Sequence, residues 1–383
     1  MDFSFRPKAL KICLYLFSLL PLGYYLKLGQ SNGIKDVTLF LYLIMFLVVG
    51  IKIVILKQSY YFVKVDVLFV LWVMIMLFSV LYTPHQMSGL YKTASFTTLG
   101  VSLIYISRAL IKQRNDILVV FKFLLINSVL LELFIIIDFF IHGAPVGRYR
   151  FYDVHPVPLT MLGAITINIA LLFFMHKQLS ILKACLYILC GAITAIIGAS
   201  KGPILALLIT FVLLLPYLAR RKEFVKLVLI IVFMSILISR IDFISGNIDY
   251  FLSRYESIDT AESSEIRVDV YENTWRYFAE NPILGVGVNG LPGNYPHNVF
   301  LEVLAENGLL LFGLLMTFSL ILIYIYYKKL IRKQGDTIDI LMLSITLLSL
   351  TSLLFSWTYT QHKFLYFCIG LLICSYNIKE KQA

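Results

Sequence analysis

Long apolar runs separated by short polar connections dominate the chain. A helix needs about 20 apolar residues to cross a bilayer. On that criterion the pattern predicts twelve spans, at about 10–26, 37–56, 62–81, 90–107, 117–141, 156–175, 179–198, 203–218, 224–240, 299–327, 337–356 and 362–377. The run at 299–327 is overlong and carries Glu306-Asn307-Gly308, which suggests a short surface helix ahead of the true span. One connection breaks the rhythm, Ile241 to Pro296. Structureless loops beyond about 12–15 residues are usually functional or disordered. This one has a helical pattern. Ser263 or Ser264 can cap a helix over about 264–280, and Ile266, Val270, Thr274, Tyr277 and Phe278 then share one face. Asn281-Pro282 ends it, because proline disfavours helical geometry in the residue before it. The expectation is an all-α polytopic membrane bundle, one integral membrane domain over 1–383, with the 241–296 loop inserted between spans nine and ten.

Composition agrees. The chain is 60% hydrophobic and 14% charged, against roughly 25% charged for a soluble protein. The net charge of +11 points to no nucleic acid, because the basic residues sit between apolar spans. With the N-terminus inside, the inner segments hold twenty Lys and Arg and the short outer connections seven. That bias orients both termini to the cytoplasm and the long loop outside. The basic-then-apolar N-terminus has no clear small-x-small cleavage site, so an uncleaved first helix is expected. The five cysteines lie within apolar spans without metal-ligand spacing and are expected to be packing residues.

Candidate chemistry concentrates in Arg267 to Gly313. Arg267 falls in the first turn of the expected loop helix, where a cation opposes the helix dipole and needs a partner. Glu262, Glu265 and Asp269 are nearby carboxylates, and a phosphate is the alternative. Residues 285–290 spell GVGVNG, but no strand precedes and no βαβ unit surrounds it, so a tight turn is expected rather than a dinucleotide site. His297-Asn298 opens the next helix, and imidazole can act as a general base near neutral pH. Lys201, in Ala-Ser-Lys-Gly-Pro, and Arg148, Arg150 and His155 are expected on the same outer side. Basic groups converging from three distant loops suit a lipid-linked pyrophosphate, whose charge must be held while a glycosyl-phosphate bond breaks. Glu132 and Asp138 in the fifth span are intramembrane candidates by default.

The run R-x-x-x-Y-x-N-T-W…E-N-P-I-L-G-V-G-V…H-N-V-F-L-E-V-L-A-E-N-G-L-L, about 50 residues long, resembles the signature of the O-antigen polymerase and ligase family (Wzy/WaaL-like polytopic glycosyltransferases). The resemblance implies glycan transfer from an undecaprenyl-pyrophosphate carrier in the bacterial cytoplasmic membrane, without metal or other cofactor. It also implies partners: the lipid-linked oligosaccharide, and a flippase and chain-length regulator. Arg267 matches the arginine associated with the donor pyrophosphate, and His297 the histidine that activates the acceptor hydroxyl. Ser200-Lys201-Gly202 stands where the family has an S-R-G-like setting; lysine keeps the charge but loses the bidentate fork. Arg148, Arg150 and Asn298 complete the candidate substrate-binding set. The implied function is a polymerase of repeat units for a capsule, O-antigen or similar polysaccharide. A ligase using the same chemistry is the alternative, and a lipid-linked oligosaccharide transporter is the alternative of another class. Against transport stand the sparse intramembrane charge and the lack of an internal repeat.

Overall fold

A computed structural model describes residues 8–26, 37–58, 60–142, 148–152, 154–221, 259–291, 295–332 and 334–380, with scattered positions between 223 and 253. The expected ninth span, 224–240, and the start of the long connection, 241–258, lie largely outside the described residues. The described chain is helical, with one isolated antiparallel bridge between Phe151 and Val154. In chain order the α-helices are α1 Lys8–Leu19, α2 Val37–Gly50, α3 Lys64–Val80, α4 Gln86–Ser95, α5 Ser102–Leu110, α6 Arg114–Ile141, α7 Pro156–Met175, α8 Ile181–Gly198, α9 Lys201–Leu218, α10 Asp259–Glu280, α11 Val299–Tyr326, α12 Thr337–Ser352 and α13 Lys363–Glu380.

Among the described residues, six helical stretches are long and apolar enough to cross a membrane: Val37–Ile55, Arg114–Ile141, Pro156–Met175, Ile181–Gly198, Lys201–Leu218 and Val299–Ile331. Helices also stand near the expected spans 10–26, 62–81, 90–107, 337–356 and 362–377, but they do not meet that measure. The reasons are local. Pro21 follows the end of α1, and the next six residues form a 3-10 helix. The segment 86–110 carries Lys92 and Arg108, and a π-helical stretch, Phe96–Val101, separates α4 from α5. Twelve crossings therefore remain an expectation.

Helix α7 is the centre of the bundle, buried over nearly its whole length. Its main neighbour is α8, and small residues let the two backbones meet. A Cβ on Gly163 would lie 2.2 Å from the Gly191 carbonyl oxygen, and one on Gly191 would lie 2.8 Å from that of Gly163. Small residues in this role replace the hydrophobic drive that lipid does not supply between helices. The five cysteines are free, and Cys190, Cys368 and Cys374 are buried.

Polar contacts gather the connections into two groups. In one, Arg108 donates from Nη1 and Nη2 to Asp66 at 2.6 and 2.5 Å, with both side chains buried. Arg114 reaches Asp336 and Asp339, and Lys329 reaches Asp339. His176 meets the Tyr217 and Thr337 hydroxyls. The other group surrounds the cavity described next.

Helix α10 begins at Asp259 and not at 264, and it ends as expected at Asn281-Pro282, whose Asn281 N–H still bonds the Tyr277 and Phe278 carbonyls. Val270, Thr274, Tyr277 and Phe278 form its inward face, and Arg267 stays exposed. Helix α11 is broken at Gly308 (φ 63°, ψ −162°), so a short helix precedes the longer one. The break is paired by the 282–287 turn. The amides of Val286 and Gly287 donate to the carbonyls of Ala305 and Glu306 at 2.8 Å, and that of Leu309 donates to Pro282 at 2.9 Å. Irregular backbone at membrane depth is tolerated where protein satisfies it in this way.

Candidate functional site

A cavity of about 1070 Å³ opens between the connections of the second group. Arg148, His155, Arg267 and His297 line it, and so do Lys92, Glu302 and Glu306. These residues come from four separate stretches of sequence. What brings them together is backbone geometry set locally by each stretch.

The Gly-rich turn does the most. Gly285 and Gly287 have positive φ (71° and 91°) and lie against the helix break; a Cβ on Gly285 would lie 2.4 Å from the Glu306 carbonyl carbon. Only glycine adopts such backbone without steric cost. The turn is also tied to α3: Tyr82 Oη donates to the Leu284 carbonyl at 2.6 Å, and the Val288 amide donates to Ser79 Oγ at 3.1 Å. The turn reading of GVGVNG thus holds, and its use is to seat Asn289 and Leu291 in the cavity wall, ahead of Tyr295 and His297.

His297 follows in a left-handed conformation (φ 51°), as do two other cavity-lining residues, Asn289 (57°) and Trp357 (74°). For non-glycine residues this costs about 1–3 kcal/mol each and is concentrated at functional sites. The His297 ring lies against Tyr295, centroids 4.1 Å apart. Partial enclosure first, then the charges of Arg267 and His155, hold the His297 pKa below its ordinary value. The same enclosure, then Arg150 and Arg148, lower that of His155. These influences link three arginines to two imidazoles whose neutral form, able to accept a proton, is favoured. Burial first, then the Glu302 carboxylate, raise the Tyr295 phenol above its ordinary value.

Arg267 forms no ion pair with a described carboxylate, Asp269 included, and its side chain faces the cavity. Arg148 lines the cavity, and Arg150 lies close enough to lower His155 without being part of the wall. His155 caps α7 by accepting from the Val157 amide. Asn298 is the N-cap of α11: its Oδ1 accepts from the amides of Phe300 and Leu301 at 3.0 and 3.3 Å, and it does not line the cavity. Lys201 is the first residue of α9 and also lies outside the wall. Its turn is nonetheless adjacent. Ala199 is left-handed (φ 44°), the Ser200 amide donates to Thr160 Oγ1, and a Cβ on Gly202 would meet Ser356 Oγ, a wall atom, at 2.3 Å.

Wall residues missed as site residues in the sequence include Lys92, Glu302 and Glu306. Lys92 Nζ donates to Glu302 Oε1 at 2.7 Å and to Glu306 Oε1 and Oε2 at 2.7 and 2.9 Å. Lys92 counted only as a short-loop cation. For the acidic pair alone a signal was present: Glu302 and Glu306 are four apart on an otherwise apolar helix, so they share a face and need a cation. Asp138 is bonded by Tyr149 Oη and lies 3.5 Å from His142, not paired with Arg148. Glu132 is fully buried away from the cavity, with no hydrogen-bond partner for either oxygen. Among the described residues no three His, Cys, Asp or Glu side chains gather as a metal ion would need.

Residues 186–318 match the family model of the O-antigen ligase domain. That stretch is similar to the O-antigen ligase family. The match takes in Lys201, Arg267, His297, Glu302 and Glu306, and it agrees with the resemblance carried by the Arg267–Gly308 motif. Arg148, Lys92 and Trp357 lie outside it and complete the same wall. The O-antigen ligase family implies glycosyl transfer of the ligase or polymerase type, on a lipid-linked glycan in a membrane. No curated protein matches the chain.

Proposed function

We propose that this protein polymerises oligosaccharide repeat units carried on undecaprenyl pyrophosphate, on the outer face of the bacterial cytoplasmic membrane. The observation that carries the reading is that Arg267, Arg148, His155 and His297, far apart in sequence, line one cavity. Arg267 and Arg148 hold the donor's diphosphate; guanidinium forks match phosphate oxygens. The acceptor hydroxyl attacks the anomeric carbon and passes its proton to His297. The new C–O bond forms as the anomeric C–O bond to the diphosphate breaks, and the lipid pyrophosphate leaves with its charge held by the arginines. Lys201 and Arg150, set back from the wall, add positive field behind it. Asn298 acts by capping the helix that follows His297 and so fixing the imidazole. The cavity opens to the outside and both termini are cytoplasmic, in keeping with the distribution of Lys and Arg. A flippase would supply the lipid-linked units and a chain-length regulator would stop them.

The test is surface glycan from a deletion strain complemented with wild type, Arg267→Ala or His297→Ala. Each variant is expected at normal membrane levels with long-chain product reduced about 10²-fold or more. Long polymer persisting in both variants defeats the assignment. The matched family description names a ligase, and the same chemistry serves one; loss of a ligase leaves long chains on the carrier lipid, whereas loss of a polymerase leaves single units on the final acceptor.

A further inference from the structure

Part of the cavity wall is acidic and aromatic, and the donor diphosphate has no use for it. Glu302 is fully buried. Its Oε1 accepts from Lys92 at 2.7 Å and from Thr358 Oγ1 at 2.5 Å, while Oε2 has no partner. One ammonium serves two carboxylates, because Lys92 also binds Glu306. The cluster therefore carries either an extra negative charge or an extra proton. A buried carboxylate oxygen left unpaired is costly, so the wall retains an acceptor that something else must satisfy. An anion is repelled there. A sugar hydroxyl is not: it donates to a carboxylate, and its ring packs on aromatic faces. Trp357 supplies such a face in the same wall, and its indole N–H is likewise without a partner. The position suits the reaction, because the Glu302 charge reaches Tyr295, whose ring lies on His297.

We propose that Glu302, oriented by Lys92 and Thr358, is a docking group for a hydroxyl of the acceptor sugar, and that this wall is the acceptor subsite. The ligand class is a neutral, hydroxyl-rich saccharide whose attacking hydroxyl is presented to His297. The proposal rests on the transferase reading above.

The experiment uses the full-length protein purified in detergent, with the native lipid-linked unit as donor and a lipid-free repeat-unit oligosaccharide as acceptor. Without a pyrophosphate the acceptor cannot act as a donor. Donor affinity is measured by calorimetry, and transfer is followed against acceptor concentration. In Glu302→Gln the acceptor KM is expected to rise at least about tenfold, the worth of one hydrogen bond to a charged group, while donor affinity stays as in wild type. An unchanged acceptor KM, or an equal loss of donor affinity, overturns the subsite. Should Glu302→Gln fail to fold, Thr358→Val is read in its place. It keeps the Lys92 contacts and removes one donor to Oε1, and it should raise the acceptor KM severalfold, with Thr358→Ser restoring it; no change overturns the proposal. If wild type itself transfers nothing, the transferase reading falls and the subsite falls with it. If wild type transfers and both variants behave as wild type, only the subsite falls.

Discussion

At the scale of single residues, the behaviour of His297 follows from its neighbours. Enclosure and the charges of Arg267 and His155 disfavour its protonated form. A lowered pKa keeps the imidazole neutral through the neutral range, and base function is lost as pH falls through that lowered value. The acid limb of kcat/KM should therefore lie below the ordinary histidine pKa of about 6.5. His155→Asn retains a good N-cap for α7 and removes one of the repulsions acting on His297, so it should move the acid limb upward. A limb at or above the ordinary value in wild type, or one that moves downward in the variant, contradicts the account. Arg267 and His297 were legible in the sequence through the resemblance of the motif that carries them; the first-turn argument for Arg267 does not hold, because the helix starts eight residues earlier, at Asp259. Asn298 was legible only as a polar neighbour; the structure gives its oxygen to two backbone amides. Lys92 was not legible, because nothing near it in sequence says that carboxylates 210 and 214 residues away will share its ammonium.

At the scale of elements, the pairing of the glycine turn with the broken helix decides the site. Gly308 has φ 63°, and a Cβ there would lie 2.2 Å from the Ile283 carbonyl oxygen. Gly308→Ala must therefore strain the backbone and push the turn away, at a cost of about 1–3 kcal/mol or more. The expected outcome is a lower Tm in detergent together with loss of transfer, since the same turn seats Asn289 and Leu291 in the cavity wall. A control, Gly313→Ala, meets nothing within 4 Å and should leave both unchanged. Equal behaviour of the two variants would contradict the pairing. Sequence periodicity located α10 and its stop at Asn281-Pro282, because side-chain pattern and proline act locally. It did not find the start at Asp259, where no such local stop or repeat marks the boundary.

At the scale of the whole molecule, two sets of connections are held apart by the bundle. One is tied by Asp66–Arg108 and the Arg114–Asp336 network, and the other surrounds the cavity. Breaking a buried pair such as Asp66–Arg108 leaves an uncompensated charge, typically at about 3–5 kcal/mol, so these ties fix the end of the bundle away from the chemistry. The proposed orientation is checked by labelling intact cells with a membrane-impermeant thiol reagent. Tyr152→Cys, exposed beside Arg148, should label, and Arg332→Cys, exposed beside the opposite network, should label only after lysis. The reverse pattern would invert the topology. The sequence by itself determined a helical membrane protein, because apolar run length and charge bias act through local rules, and it pointed to the candidate loop and its chemistry through the resemblance of one motif to a known family. Only the tertiary structure decided which cations share a cavity, that Lys201 does not line it, and that an acidic pair does. Those facts depend on contacts between segments hundreds of residues apart, and no periodicity or spacing along the chain encodes which helix ends will meet.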